Sequence, residues 1–171
     1  GYDYEYGCYC YPMGPTDGVN SLIVKANHGT VYFDRPVGSN GNALDRLTVE
    51  ANDTYVAANI TTIGNQNYSG NLWIGQTDNW IPDGMPAWLA GNTIRLQSRF
   101  GDISFHGKVG DAGAWVYGYD YDYDCYCYPI GPTDGVNSLI VKANHGTVYF
   151  DRPVGSNGNA LDRLTVEAND T

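Results

Sequence analysis

Residues 22–33 read Leu22-Ile23-Val24-Lys25-Ala26-Asn27-His28-Gly29-Thr30-Val31-Tyr32-Phe33, and residues 139–150 read the same. An alternating apolar run, a polar Ala-Asn-His-Gly junction and a second alternating run spell strand, turn, strand. Working outward, the identity grows: residues 118–171 repeat residues 1–54 at an offset of 117, differing only at Glu5/Asp122, Gly7/Asp124 and Met13/Ile130. The chain therefore reads as a first full tandem repeat, 1–117, and a partial second repeat, 118–171. Copy two stops at Thr171, where copy one runs on into Tyr55, so the expectation is a window cut from a longer array.

Composition points the same way. With 22 Gly, 15 Tyr and three Lys, little is left from which to build amphipathic helices, and an all-β protein is expected. The formal charge of −10 repels phosphate backbones, which argues against a nucleic-acid partner. Acidity of this kind keeps a repetitive surface hydrated and offers divalent cations something to bridge. Apolar stretches fall well short of the roughly 18 residues a bilayer span needs, so membrane insertion is not expected.

Aligning the apolar segments gives a shorter rhythm. Leu22-Ile23-Val24, Leu47-Thr48-Val49, Leu72-Trp73-Ile74, Ile94-Arg95-Leu96, Trp115-Val116-Tyr117 and Leu139-Ile140-Val141 follow one another at steps of 25, 25, 22, 21 and 24 residues. Second strands follow most turns, with Val31 and Phe33, then Val56, Ala58 and Ile60, then Ile103 and Phe105 facing in. Thr30, Tyr32, Asn59, Ser104 and His106 would face out. A rung this short cannot bury its own apolar face, so stacked rungs are the economical arrangement. The expected fold is a parallel β-solenoid of about 21–25-residue rungs, five per repeat, advancing about 24 Å. The alternative is a string of immunoglobulin-like β-sandwich domains linked by strand donation, since 117 residues also suits one such module.

The stretch Leu47-Thr48-Val49-Glu50-Ala51-Asn52-Asp53-Thr54, the run Ile60-Thr61-Thr62-Ile63-Gly64-Asn65-Gln66-Asn67-Tyr68-Ser69-Gly70-Asn71-Leu72 and the segment Ile103-Ser104-Phe105-His106-Gly107-Lys108-Val109-Gly110 resemble the β-helical repeats of filamentous-haemagglutinin-like bacterial adhesins. The resemblance covers residues 20–75 and 93–113, plus the second copy of the first part. It implies a secreted, surface-displayed adhesive fibre. Two segments depart from that pattern: Asp78 to Trp88, whose two prolines suggest a projecting loop, and a Tyr/Asp/Cys tract.

That tract runs from Tyr117 to Pro129 and is echoed from Tyr2 to Pro12. As one extended strand it would carry Tyr117, Tyr119, Tyr121, Tyr123, Cys125 and Cys127 on one face. Asp120, Asp122, Asp124, Tyr126 and Tyr128 would take the other. The tyrosines form a candidate contact strip, because Tyr supplies large amphipathic area. Asp3, Glu5, Asp120, Asp122 and Asp124 are weak Ca²⁺ candidates: strand spacing sets the acids about 6.5–7 Å apart, and no Asp-x-Asp-x-Asp-Gly loop closes a cage. Cys8, Cys10, Cys125 and Cys127 are candidates for disulfides to another chain or a neighbouring turn in an oxidising space, buried thiols being the plainer account.

Three glycosylation sequons fall in the full repeat, at Asn52, Asn59 and Asn67, and Asn169 is the second copy of the first. No catalytic residue is nominated: the acids are strand-periodic or sit in duplicated turns, and nucleophile-elbow, zincin and phosphate-loop motifs are absent. The expected role is that of a structural subunit of an extracellular or cell-surface fibre, adhesive or matrix-forming, whose partner is the chain itself. Its only additions would be covalent glycans and Ca²⁺. The alternative function is a carbohydrate-binding or carbohydrate-cleaving β-helix, with exposed Trp73, Trp80 and Trp88 as a sugar platform.

Overall fold

The computed structural model describes residues 2–3, 8–9, 18–38, 41–75, 80–81, 92–112, 114–120, 125–133, 135, 137–156 and 158–170. Only the backbone is described in 2–3, 8–9, 80–81, 114–120, 125–133 and at 170. Every regular element among these residues is a strand, so no helix is available to cross a membrane.

In chain order the strands are β1 (Tyr2–Asp3), β2 (Cys8–Tyr9), β3 (Leu22–Lys25), β4 (Thr30–Phe33), β5 (Leu47–Glu50), β6 (Asp53–Val56), β7 (Ile60–Thr62), β8 (Gln66–Tyr68) and β9 (Asn71–Ile74). There follow β10 (Trp80–Ile81), β11 (Thr93–Ser98), β12 (Ile103–Phe105), β13 (Val109–Asp111), β14 (Ala114–Asp120), β15 (Cys125–Thr133), β16 (Ser138–Phe150) and β17 (Arg163–Asp170).

Twelve of these strands assemble into three parallel ladders. Ladder I runs β3, β5, β8, β12 and the end of β16. Ladder II runs β4, β6, β9 and β13. Ladder III runs β7, β11, the start of β16, and β17. Because β16 belongs to I and III at once, those two ladders are one continuous, sharply bent sheet. The chain visits I, II and III in order and returns to the next place in each. Isolated parallel bridges to Ile60 and Thr62 put Val37 and Leu44 at the ladder III position that precedes β7.

Alternation within each strand sends one set of side chains to a common interior. Leu47, Val49, Val56, Ile60, Leu72, Ile74, Leu96, Ile103, Leu139 and Val141 are fully buried there. Each such side chain contributes about 1.5–3 kcal/mol over leaving it exposed. Tyr68, Phe105 and Phe150 lie in successive coils of ladder I and stack face to face, with centroids 5.5 and 5.0 Å apart.

Several expectations are corrected. The immunoglobulin-like alternative needs antiparallel sheets, whereas all three core ladders are parallel. The equal-step list of apolar segments mixes ladders: Leu47 pairs with Gln66 at a spacing of 19, and Leu72 stacks on Thr54 in ladder II. Ile94–Leu96 lies in ladder III, and Trp115–Tyr117 leaves the core. Similarity of composition could not reveal this, since strands of all three ladders obey the same inward alternation. Val56, Ala58 and Ile60 do not share a strand, because the chain turns a corner between β6 and β7 and leaves Ala58 half-buried.

Two stretches of chain separate ladder II from ladder III, one between β9 and β11 and one between β13 and β16, and the strands described in them are β10, β14 and β15. Within them β14 and β15 form an antiparallel hairpin, and β10 runs parallel to β14 with Trp80 opposite Trp115. The Tyr/Cys tract is therefore a folded-back hairpin, not one extended strand, and its face assignment cannot be counted straight through 117–128. Tyr119 sits opposite Tyr126 and Asp120 opposite Cys125, with register shifts at Val116/Tyr117 and Gly118/Tyr119. Copy one's tract likewise pairs Tyr2 with Tyr9 and Asp3 with Cys8, antiparallel. Of the proline-bearing segment read as a projecting loop, Trp80–Ile81 is strand and the remainder lies outside the described residues.

Candidate functional site

The surface on which the chain does the same thing twice is the contact between one coil and the next. In copy one Leu22 pairs with Leu47, and in copy two Leu139 pairs with Leu164, both at a spacing of 25. Thr30 with Asp53 recurs as Thr147 with Asp170. The turn bonds recur too: Gly18 N–H donates to the Ala43 carbonyl at 2.8 Å and Gly135 N–H to that of Ala160 at 2.7 Å. Ser21 Oγ donates to Asp45 at 3.1 Å, and Ser138 Oγ to Asp162 at 2.9 Å. On the outer face Lys25 pairs with Glu50 and Lys142 with Glu167.

Hydrogen bonds from Lys142, with help from the Arg95 guanidinium in the preceding coil, hold the Glu167 carboxyl below its usual range. The pair is open to water, so it fixes register more than it adds stability.

Corners are closed by amide and carboxylate side chains that accept from the backbone of the following coil. Asn59 Oδ1 takes the Arg95 N–H at 2.8 Å, Asn65 Oδ1 the Asp102 N–H at 3.0 Å, and Asp102 Oδ1 the Thr147 N–H at 2.8 Å. Each satisfies a backbone donor that the sheet leaves over as the chain bends.

Inside, polar groups are matched. Gln66 donates to Gln97 O at 2.8 Å and accepts from the Tyr68 hydroxyl at 2.9 Å. Burial pushes the Tyr68 phenol well above its ordinary range, keeping it a donor. Asn137 donates from its backbone and its Nδ2 to the Asp111 carboxylate, and its Oδ1 accepts the Asn92 N–H at 3.0 Å. Asp111 and Asn137 are buried, and the Cβ that any other residue would add at Gly75 would lie 2.5 Å from Asn137 Nδ2. Gly75, Asn92, Asp111 and Asn137 lie at or beside the ends of β9, β11, β13 and β16, so one polar cluster, buried at Asp111 and Asn137, ties these four strand ends together.

An aromatic row on the outside of ladder II was not foreseen as a unit. Tyr32 stacks on Tyr55 at 5.2 Å, Tyr55 is in register with Trp73, and the Trp73 indole donates to Asp53 Oδ1 at 2.8 Å. Partial burial, then the Asp53 charge and Tyr32, raise the Tyr55 phenol. The spacings along the chain, 23 and then 18, hide the row from any fixed period. The available signal was local: each ring immediately precedes the strand's last buried residue, Phe33, Val56 or Ile74.

The nominated residues are distributed as follows. Asn52, Asn59 and Asn169 are exposed and Asn67 is half-buried; Asn52 Nδ2 donates to the His28 carbonyl at 3.0 Å. Tyr117 and Tyr119 are on β14, and Tyr126, Tyr128, Cys125 and Cys127 on β15; Cys8 and Asp3 belong to the β1–β2 pair, and Asp120 ends β14. Tyr121, Tyr123, Asp122, Asp124, Glu5, Cys10 and Trp88 lie outside the described residues. Trp73 and Trp80 fall on separate sheets. Among the described residues no three His, Cys, Asp or Glu side chains gather in a metal-binding group.

No protein family, curated protein or solved structure matches this chain.

Proposed function

We propose that the chain is a structural subunit of an extracellular or cell-surface fibre, a parallel β-solenoid that grows by laying one coil on the next. The observation that carries this reading is the recurrence of the same coil-to-coil pairing in both copies, Leu22 on Leu47 and Leu139 on Leu164. A coil that stacks on the next in a register the second copy reproduces can be extended coil by coil, which is the logic of solenoid arrays. The partner is the chain itself. Adhesion by a filamentous-haemagglutinin-like surface, glycans on Asn52, Asn59, Asn67 and Asn169, Ca²⁺ at the acidic tract, and disulfides from Cys8, Cys10, Cys125 and Cys127 complete the reading. It assigns no catalytic step.

Assembled multi-repeat chains examined by electron microscopy and fibre diffraction should give thin filaments with a meridional spacing of about 4.8 Å. Discrete particles without that spacing would overturn the reading. A non-reducing gel of intact fibres that ran only at monomer size would remove the inter-chain disulfides, and no mass change after endoglycosidase would remove the glycans.

One observation favours a carbohydrate-binding role instead: the Tyr32–Tyr55–Trp73 row, which sets three aromatic side chains in register along the outside of ladder II. Quenching or enhancement of Trp73 fluorescence on titration with soluble oligosaccharides, lost in Y55A, would support it.

A further inference from the structure

The two copies do not start on the same ladder. Leu22–Lys25 of copy one lies in ladder I, and its counterpart Leu139–Lys142 lies in ladder III. Val31 is in ladder II, and its counterpart Val148 is in ladder I. Val37 bridges into ladder III, and its counterpart Val154 bridges to Val109 of ladder II. Every equivalent pair is displaced by one ladder in the same sense.

The reason is a count of strand positions. Starting from β3 the chain passes β4, the Val37 bridge, β5, β6, β7, β8, β9, β11, β12 and β13 before β16 opens copy two. That is eleven positions on three ladders, which is three circuits and two thirds of a fourth. A 117-residue repeat therefore cannot return to its own azimuth.

From this we infer that the repeat is a three-fold screw unit, which presents its Tyr- and Cys-bearing tract on three sides of the fibre in turn. This rests on the fibre reading above. The copy-two tract leaves after ladder II and rejoins at ladder III, while the copy-one tract feeds into ladder I. A third repeat opens on ladder II and a fourth again on ladder I. Each step turns the tract by about 120° and advances it by about 18 Å, so the fibre repeats after about 53 Å. Neighbouring fibres, second copies of this chain, then meet equivalent tracts from three directions. A bundle follows from that geometry; a repeat of twelve positions would put every tract on one edge and make a ribbon.

The rotation is measurable in the chain as it stands. In the NOE spectrum the Phe150 ring should show contacts to the Phe105 ring, its 5.0 Å neighbour in ladder I. Contacts from Phe150 to Asp111 of ladder II, the place its counterpart Phe33 dictates without rotation, would overturn the inference. Helical reconstruction of multi-repeat fibres should return about 120° and about 18 Å per repeat. Fibres whose repeats superpose by translation alone would overturn the rotation and leave the fibre intact, whereas loss of the 4.8 Å spacing would strike the fibre reading itself.

Discussion

In copy one, Leu22 and Val24 lie half-buried at the outer edge of ladder I, while the same residues in copy two, Leu139 and Val141, are shut off from solvent between β11 and β17. One strand later the order reverses, with Leu47 at 0% exposure and its counterpart Leu164 at 39%. Backbone follows the same division. The Ala26-Asn27-His28-Gly29 turn breaks copy one into β3 and β4, with His28 held at a φ of 70°, whereas Ala143-Asn144-His145-Gly146 continues β16 unbroken. What differs is the coil above: Thr147 N–H is taken by Asp102, and His145 stacks on Phe100 at 5.4 Å. Burial, and even local conformation, belong to a place in the stack and not to the residues that occupy it.

The sharpest way to break that contrast is a pair of truncations. Leu139→Ala should cost about 2–5 kcal/mol of unfolding free energy in urea titrations, and Leu22→Ala about 1 kcal/mol, in proportion to the apolar area it hides. Leu47→Ala and Leu164→Ala should rank in the opposite order along the sequence. Equal costs within either pair would mean that the edge and the centre of the stack are not distinct.

Gly146→Ala comes next. Its new Cβ would fall 2.2 Å from the Gly101 carbonyl oxygen of the coil above, an overpacking that costs about 1–3 kcal/mol. At Gly29 the added Cβ meets Ala26 O at 2.8 Å, within a turn at the stack's edge that is free to relax, and the thermal midpoint should fall less.

A subtler pair probes the backbone. His28→Gly relieves a left-handed residue at the cost of chain entropy and should be neutral or stabilising by up to about 1 kcal/mol. His145→Gly loses the Phe100 stack and gains only flexibility, so it should destabilise by about 1–2 kcal/mol. Calorimetry that found the same sign for both would erase the conformational difference.

The smallest effect is electrostatic. The Lys142 hydrogen bond lowers the Glu167 carboxyl in the folded chain, so its contribution is fully present above the ordinary carboxylate range and is lost as pH falls through the lowered value. Stability followed downward through that range should lose a slight acid-dependent component in E167Q. An NMR titration placing Glu167 at its ordinary value would remove the effect.

Much of the strand content was legible beforehand. Leu22–Val24, Leu47–Val49 and Leu139–Val141 were read as core strands from alternation alone, and the first two do share a ladder. The Tyr32–Tyr55–Trp73 row, the Asp111–Asn137 cluster and the hairpin were not legible. The row has unequal spacing, the cluster joins residues at the ends of separate strands, and the hairpin turns within a tract whose alternation continues unbroken on paper.

By itself the sequence determined that the chain is all β, that it repeats at 117 and which side of each core strand is apolar, because these depend on neighbours one or two residues apart. Only the tertiary structure decided which strand lies on which. Parallel strands come from successive coils whose lengths vary from 18 residues to 45, and inward alternation is the same on all three ladders. A count of eleven positions on three ladders, and the rotation it entails, is a property of closure around an axis that no local pattern encodes.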